Sequence, residues 1–429
     1  MSHCSSEIAP GGELELVLEE LAAGGRGLAR APDGRVVLVA GALPGERVQA
    51  RLLRVRRSYL EAETLAVLEP SPQRVEPACP LYGRCGGCNL MHLAYPAQVE
   101  AKAAWLAQAL ASLEGLPPVR SHASPRVLGY RHRLRLQVDN KGRVGFFAPA
   151  SHRLVPVAAC PAAAPGVNQL LAGLGGRLPV GVRGLEILAG GQGPALVTLD
   201  LAGRVSASRR RRLEQDLLAA GAGGVRLRVG GRLGPYTGAG VVCHRDQGLE
   251  MRAVPGLFCQ ANFAANRVLL ELVLRAAGPG RGGRALDLYA GSGNFGLPLA
   301  RAGWRVLAVE GVKQAVELGR RQARAAGLES AIRFQRREVG RGLSQLVHEG
   351  EVFELVVLDP PRAGAKGLMP ALAALETRRL VYVSCHAAAL ARDARVLAGE
   401  GYRPVELSLV DMFPHTGHLE AVLVMERPS

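Results

Sequence analysis

The stretch Ala285-Leu-Asp-Leu-Tyr-Ala-Gly-Ser-Gly-Asn-Phe295 decides the fold of this chain. Its apolar start reads as a buried strand, Gly291 and Gly293 as a tight turn that lets a ligand approach the backbone, and residues 296–302 as the helix that follows. One Gly-rich turn is a weak signal. It gains force because residues 306–310 read as the next strand and close on the carboxylate of Glu310. A carboxylate there accepts hydrogen bonds from both hydroxyls of a ribose and repels a 2′-phosphate. Asp287 ahead of the turn, and the missing third spaced glycine, favour S-adenosylmethionine over a nicotinamide.

Outward from this stretch the pattern keeps alternating. Residues 263–277, 314–326 and 368–375 read as helices, and residues 355–359 and 380–384 as strands. Strands followed by helices predict an α/β fold over residues 257–429, a doubly wound, mostly parallel sheet that binds ligands at the carboxyl ends of its strands. Residues 14–18, 35–39, 47–55 and 59–68 read instead as short β-runs cut by glycine turns, so residues 1–70 predict a small barrel. Residues 71–256 form a central section, β-rich from about 126 onward, preceded by an amphipathic helix over 98–113.

The chain has 429 residues, 48% of them apolar, which excludes fibrous and disordered classes and leaves room for roughly two or three domains of about 100–200 residues each. The charge-free run 154–176 is broken by Pro156, Pro161 and Pro165, so no membrane span is expected. Glu7 and its polar neighbours stand where a signal peptide needs an apolar stretch, so a cytoplasmic protein without disulfides is expected. The net charge is +16, with arginine outnumbering lysine 49 to 4. The excess is concentrated in residues 71–256, which carry 23 basic and 10 acidic residues. Arg131, Arg133 and Arg135 alternate with Leu134 and Leu136, placing the arginines on one face of a strand and suggesting a surface for a polyanion. Arg209 to Arg212 open a helical stretch and read as its solvated face.

Two further strand ends carry reactive groups, Asp359-Pro-Pro-Arg362 and Ser384-Cys385, and both emerge on the edge that holds the Gly-rich turn. A lone cysteine is usually a packing residue. Cys385 ends a strand instead, and Glu420, in His418-Leu-Glu420, offers a carboxylate base; without that context it would read as a solvated carboxylate. A thiol beside S-adenosylmethionine has a chemical reason. Carbon 5 of uracil is too weak a nucleophile to take a methyl group from a sulfonium, but a thiolate added at carbon 6 turns the ring into an enolate that can. A base must then remove the carbon 5 proton so that the thiol leaves. Uracil within a helix hides this face, so an unpaired or flipped-out base is required.

Cys79, Cys85 and Cys88 lie within ten residues of one another, and Cys160-Pro161 offers a fourth thiol. Such a cluster favours metal over packing. Zinc completed by His92 or Cys160 and a 4Fe–4S cluster held by four thiolates both satisfy the spacing. Cys4, Cys243 and Cys259 fit neither site.

These motifs carry a resemblance. Gly24, Gly25, Gly27, Ala29, Arg30 and the run Ala42-Leu-Pro-Gly-Glu46 resemble the TRAM domain, an OB-like RNA-binding barrel. Phe258-Cys-Gln260-Ala-Asn262, Asp287 to Phe295, Asp359 to Arg362, Ser384-Cys385 and His418 to Glu420 resemble the bacterial RNA uracil-C5 (5-methyluridine) methyltransferases, specifically their iron–sulfur, TRAM-containing branch acting on 23S rRNA. The resemblance implies a class I methyltransferase domain over 257–429, a TRAM barrel over 1–70 and an iron–sulfur domain over 71–256. By the same resemblance Cys385 is the nucleophile and Glu420 the proton acceptor. Gln260, Tyr289, Asn294, Glu310, Glu338 and Asp359 contact S-adenosylmethionine or line its pocket, and Cys79, Cys85, Cys88 and Cys160 bind a 4Fe–4S cluster. It implies a monomer acting on RNA, with large-subunit rRNA ahead of tRNA.

The chain departs from the family at His386-Ala387, where Asn-Pro usually follows the nucleophile, and at Ala261, where valine is common. A non-catalytic RNA-binding protein on a degenerate methyltransferase fold is the rival reading. A cytosine-C5 methyltransferase is a second, but those enzymes place the nucleophile after proline, and Ser384 precedes it here.

Overall fold

A computed structural model describes residues 8–176 and 178–428; Cys4 and Glu7 lie outside them. The chain divides into two compact units. The first comprises residues up to Trp105 together with Phe147–Arg153 and Phe413–His418, and the second comprises Leu106–Phe146, Leu154–Met412 and the residues from Leu419 onward. The expected divisions at 70 and 256 fall inside these units.

In the first unit, strands β1 (Glu13–Val17), β2 (Glu20–Ala22), β3 (Arg26–Arg30), β4 (Val36–Ala40), β5 (Arg47–Val55) and β6 (Tyr59–Glu69) form a sheet of order β1-β5-β6-β4-β3-β2. Alternation along β1 and β5 sends Leu14, Leu16, Val48, Ala50 and Leu52 into one core with Val37, Val39 and Leu60. The β5–β6 pairing shifts register three times, and such irregularities bend strands around a core. Helix α1 (Tyr95–Leu110) starts three residues earlier than expected, because Pro96 has its φ already set for a first turn and lacks only an N–H that would go unused there.

In the second unit, β7 (Val119–His122) precedes a seven-stranded sheet of β8 (Arg133–Val138), β9 (Val144–Phe147), β10 (Leu154–Pro156), β11 (Val182–Leu188), β12 (Leu196–Leu201), β13 (Gly224–Val229) and β14 (Arg232–Gly238), in the order β10-β9-β8-β11-β12-β13-β14. Two helices, α2 (Pro165–Gly173) and α3 (Ala207–Ala219), bury Val167, Leu170, Leu213 and Leu217 in the same core. Strands β15 (Val242–Asp246) and β16 (Leu249–Ala253) then pair as a hairpin. Its two turn residues, Gln247 and Gly248, both have positive φ, at 48° and 72°, as a tight I′ connection requires.

The remaining elements build the expected α/β layer: α4 (Phe263–Ala277), β17 (Arg284–Leu288), α5 (Gly296–Arg301), β18 (Arg305–Glu310), α6 (Lys313–Ala325), β19 (Ile332–Arg336), α7 (Val339–His348), β20 (Leu355–Leu358), α8 (Met369–Ala373), β21 (Arg379–Ser384), α9 (Ala387–Gly399), β22 (Arg403–Val410) and β23 (Glu420–Glu426). The sheet order is β19-β18-β17-β20-β21-β23-β22-β7. Strands β17 to β21 run parallel, β23 inserts antiparallel between β21 and β22, and β7 joins β22 in parallel, so the sheet is mixed. The chain leaves β17 toward β18 and β19, then returns to the other side of β17 as β20 and β21. With right-handed crossovers this reversal puts α5 and α6 on one face and the later helices on the other. The reversal opens a crevice between β17 and β20, where ligands bind in sheets of this kind.

Candidate active site

The loop after β17 enters the crevice under strain. Tyr289 has φ of 61°, a region that side chains rarely occupy, and Gly291 and Gly293 follow at 56° and 98°. A Cβ on Gly293 would meet Leu297 at 2.8 Å, so only glycine fits. Glu310, at the end of β18, holds this turn. One carboxylate oxygen accepts from Gly291 N–H at 3.0 Å and the other from Val312 N–H at 2.7 Å. Each oxygen keeps a second lone pair, so the group retains the capacity to accept from a ribose diol.

Helix α4 supports the turn from the other side. Asn262 caps its first turn, accepting from Ala265 N–H at 3.0 Å while its amide donates to Met412 O at 3.1 Å. One turn on, buried Asn266 pairs with Asn294 of the Gly-rich loop. Gln260 donates to Asp359 at 3.5 Å, a contact at the outer limit of a hydrogen bond. Gln260, Tyr289, Asn294 and Asp359 therefore line one cleft, together with exposed Phe258 and the rings of His244 and Phe263. Glu338 stands beyond the cleft's lining as the N-cap of α7, accepting from Gly340 and Arg341 N–H at 2.9 Å each, and its charge is felt at the Tyr289 hydroxyl.

Cys385 follows β21 directly, half-buried. Burial pushes its thiol up to about 11, aided by the charges of Glu420 and Asp359 and opposed by Arg362. Glu420 is a buried residue at the start of β23, not the solvated carboxylate of an isolated motif. Burial, and then Asp359, hold its pKa well above the carboxylate range. Burial alone raises Asp359 to about 7. Asp287, fully enclosed beneath the turn, rises to about 8 through burial and the neighbouring Asp359 and Glu310, against the pull of Gly296 N–H. The crevice thus gathers a thiol and three carboxyl groups whose pKa values burial raises, a perturbation typical of acid–base sites.

His386 has a structural task. Its Nδ1 accepts from Ala389 N–H at 3.1 Å and caps α9, a role an asparagine fills equally well. That ring nitrogen is thereby committed to the helix cap.

The arginine face expected at 131–135 forms only in part. Leu134 and Leu136 are buried as expected, but Arg133 makes a two-pronged pair with buried Glu186, at 3.1 Å for each contact, and Arg135 lies 3.9 Å from the same carboxylate. Across the ladder Glu186 faces Arg135, which sequence alone did not reveal. Arg133 is therefore committed to the fold. In α3, Arg210 pairs with Glu214, while Arg211 and Arg212 are exposed, the solvated face expected.

Cys79, Cys85 and Cys88 lie half-buried in one loop of the first unit. Gly87 N–H points at the Cys85 sulfur at 3.4 Å, and Gly86 N–H donates to Phe147 O at 2.9 Å, close enough that a Cβ at Gly86 would collide. His92 is buried, with Nδ1 bonded to the Tyr82 hydroxyl and its pKa lowered to about 4 by burial. Cys160 belongs to the second unit, where Asn168 clasps its peptide, accepting from its N–H at 2.9 Å and donating to its C=O at 3.0 Å. Among the described residues no three His, Cys, Asp or Glu side chains stand together as a metal-ion ligand set. The three thiols of the first unit suit a thiophilic group by their chemistry, and an amide already donates to one sulfur.

Sequence reading missed Asn266 and the ring stack of His132, Phe263 and His244. Asn262 and Asn266 are one helical turn apart, a spacing that could have shown both on one face of α4.

Known proteins agree with this architecture. A family model described as tRNA (Uracil-5-)-methyltransferase matches residues 241–428, and the TRAM domain model matches residues 9–65. The chain is 37% identical to a 23S rRNA (uracil(1939)-C(5))-methyltransferase of Pseudomonas putida, over 98% of this chain and 95% of that protein. It is 38% identical to the enzyme of that name from Halomonas elongata, over 97% and 90%. The crystal structure of Pyrococcus abyssi tRNA (uracil-54, C5)-methyltransferase with S-adenosyl-L-homocysteine superposes with a TM-score of 0.76 at 23% identity, covering 96% of this chain and all of that one, a likeness of fold.

Proposed function

Because the chain belongs to the RNA uracil-C5 methyltransferase family and carries a TRAM domain, we propose that its substrate is 23S rRNA, at the uridine equivalent to uracil 1939 of its relatives. It is an RNA uracil-C5 methyltransferase that uses S-adenosylmethionine. The observation that carries the residue roles is the crevice itself, where the Cys385 thiol feels the charges of Glu420 and Asp359 at the same sheet edge as the Gly-rich turn.

S-adenosylmethionine supplies an electrophilic methyl group. Glu310, Asn294, Tyr289, Gln260 and Asp359 would hold it in the cleft, with Glu338 at the neighbouring strand end. Cys385, as thiolate, adds to carbon 6 of uracil, and the electron pair of the 5,6 bond moves onto the carbonyl at carbon 4. That enolate makes carbon 5 the nucleophile for the methyl group. Glu420, as carboxylate, then takes the proton from carbon 5, the double bond re-forms, and the carbon–sulfur bond breaks to return the thiolate. A raised Glu420 pKa suits a group that must accept that proton and release it each turnover.

The sheet is read as a class I methyltransferase layer, with the TRAM barrel over 1–70 and a cluster-bearing section over 71–256. Cys79, Cys85, Cys88 and Cys160 would bind a 4Fe–4S cluster that organises the fold and RNA surface without electron transfer. Iron and acid-labile sulfide in equal amounts in anaerobically purified protein support that assignment; zinc alone overturns it. By its family resemblance we read the enzyme as a cytoplasmic monomer. Mass spectrometry of RNA from a deletion strain tests the substrate. Loss of one 5-methyluridine from 23S rRNA is expected, and its loss from tRNA instead overturns the assignment.

A further inference from the structure

A second cavity, of about 730 Å³, lies in the unit that holds the crevice and is lined by groups that the proposed reaction does not use. Its size is within the range of sites that enclose a small ligand. Three arginines line it: Arg126, from the segment after β7, Arg245 of β15 and Arg267 of α4. All three are exposed. Arg267 leans on buried Asp246 at 3.3 Å, whereas Arg126 and Arg245 have no ion-pair partner among the described residues. The one carboxylate on the wall, Glu250, is engaged by Arg252 at 3.1 Å. The cavity is therefore positive.

Its floor is a stack of rings. Phe263 lies between His132 and His244, with centroid separations of 4.1 and 3.9 Å and interplanar angles of 23° and 6°. The Nδ1 atoms of both histidines are buried without a hydrogen-bond partner among the described residues. Burial, then the neighbouring His244, lowers the His132 pKa to about 4, so that ring is neutral at pH 7. Phe263 and Arg267 are one turn apart on α4, which brings ring and guanidinium to the same wall. His244 and Phe263 also line the cofactor cleft. The cavity and the cleft thus share the rings of His244 and Phe263 as a common wall.

Resting on the reading of this chain as an RNA methyltransferase, we propose that the cavity is a subsite for the nucleotide adjoining the target uridine. Arg126 and Arg245 meet its backbone phosphates, and the ring floor faces its sugar and base. Guanidinium groups suit phosphate because their paired N–H donors match its oxygens. A site that shares a wall with the cleft registers the RNA so that its neighbour enters the crevice, a positioning role that phosphate contacts serve in general.

The test uses the full chain saturated with S-adenosylhomocysteine and a fluorescein-labelled RNA hairpin spanning the proposed 23S rRNA uridine, titrated across a series of KCl concentrations. The double variant Arg126→Gln/Arg245→Gln should bind about tenfold more weakly, with a salt slope shallower by about one to two phosphate contacts. Replacing single phosphodiesters by neutral methylphosphonates should cost the unsubstituted protein about tenfold at one or two linkages beside the uridine, and cost the variant nothing further there. Unchanged affinity and slope in the variant, or equal methylphosphonate losses in both proteins, overturn the subsite. Calorimetric binding of S-adenosylhomocysteine, equal in both, establishes that the variant is folded. Failure of the parent reading is separate: the unsubstituted protein would then transfer no labelled methyl to the hairpin, whatever the arginines do.

Discussion

Asn266 and Asn294 form a reciprocal amide pair, each donating to the other's oxygen, at 3.0 and 3.1 Å. One is buried in helix α4 and the other belongs to the Gly-rich turn, so the pair ties the turn to a rigid element. Asn266→Ala removes both bonds of the pair, together with a longer one to Asp246 at 3.4 Å, and leaves an amide without its partner, a cost of about 1–3 kcal/mol. We expect S-adenosylhomocysteine to bind about tenfold more weakly by calorimetry, and the double variant to lose no more than Asn294→Ala alone, which also removes a proposed cofactor contact. Additive losses in the double variant would show that the two amides act independently.

Asp287 makes stability depend on pH in an unusual direction. Its folded pKa is raised to about 8, above the ordinary carboxylate value of 3.8. Between these values the folded chain keeps a proton that the unfolded chain has released, so stability falls as pH rises through that window. Asp359, raised to about 7, and Glu420, raised as well, act with the same sign. Urea midpoints of the cofactor-free protein should therefore decline from about pH 5 to about pH 8, and Asp287→Asn should flatten that decline. Parallel curves for the two proteins would assign the pH dependence to other groups.

The parallel half of the catalytic sheet was legible because its strands are buried on both faces and read as plain apolar runs. The segments expected at 285–289, 306–310, 355–359 and 380–384 correspond to β17, β18, β20 and β21 within one residue at each end. Edge strand β7, Val-Arg-Ser-His, has no such pattern. Pairing with β22 makes it a strand, and that contact joins residues nearly 300 positions apart. The glycines of the cofactor turn and the position of Cys385 were readable, since both depend on a local strand-to-loop transition. The burial that tunes the carboxyl groups was not, because it arises from packing of β20, β21 and β23 against one another. The same holds for Arg133, whose partner Glu186 sits on another strand.

Gln98 is a second place where buried amide chemistry predicts a large effect. Its side chain donates to Leu93 O at 2.8 Å, accepts from His415 N–H at 2.8 Å and lies 3.2 Å from His415 Nδ1, with no exposure to solvent. His415 itself has φ of 65°, a conformation that needs such support. Gln98→Ala strands a buried carbonyl and a buried N–H at once and should cost about 2–4 kcal/mol. Urea unfolding measures it, and Gln98→Glu should recover part of the loss by keeping the acceptor for His415 N–H. A loss below about 0.5 kcal/mol, the range of ordinary surface changes, would mean that the loop is held by other contacts.

Cys385 and Glu420 act at opposite ends of the proposed reaction, and their variants should differ in kind. Cys385→Ala removes the nucleophile, so methyl transfer should stop while S-adenosylhomocysteine still binds. Glu420→Gln leaves the thiol in place but removes the acceptor for the carbon 5 proton, so a covalent RNA adduct should accumulate on denaturing gels. The charges add a second expectation. Glu420 is one of the groups that raise the Cys385 pKa to about 11, after burial. Glutamine removes that charge wherever Glu420 is ionised, so the variant's thiol pKa should lie at or below the parent's. Adduct formation should rise with pH, by up to about tenfold per unit while the thiol is mostly protonated. Product release from Glu420→Gln at the parent's rate, or adduct formation indifferent to pH, would remove these residues from the roles assigned to them.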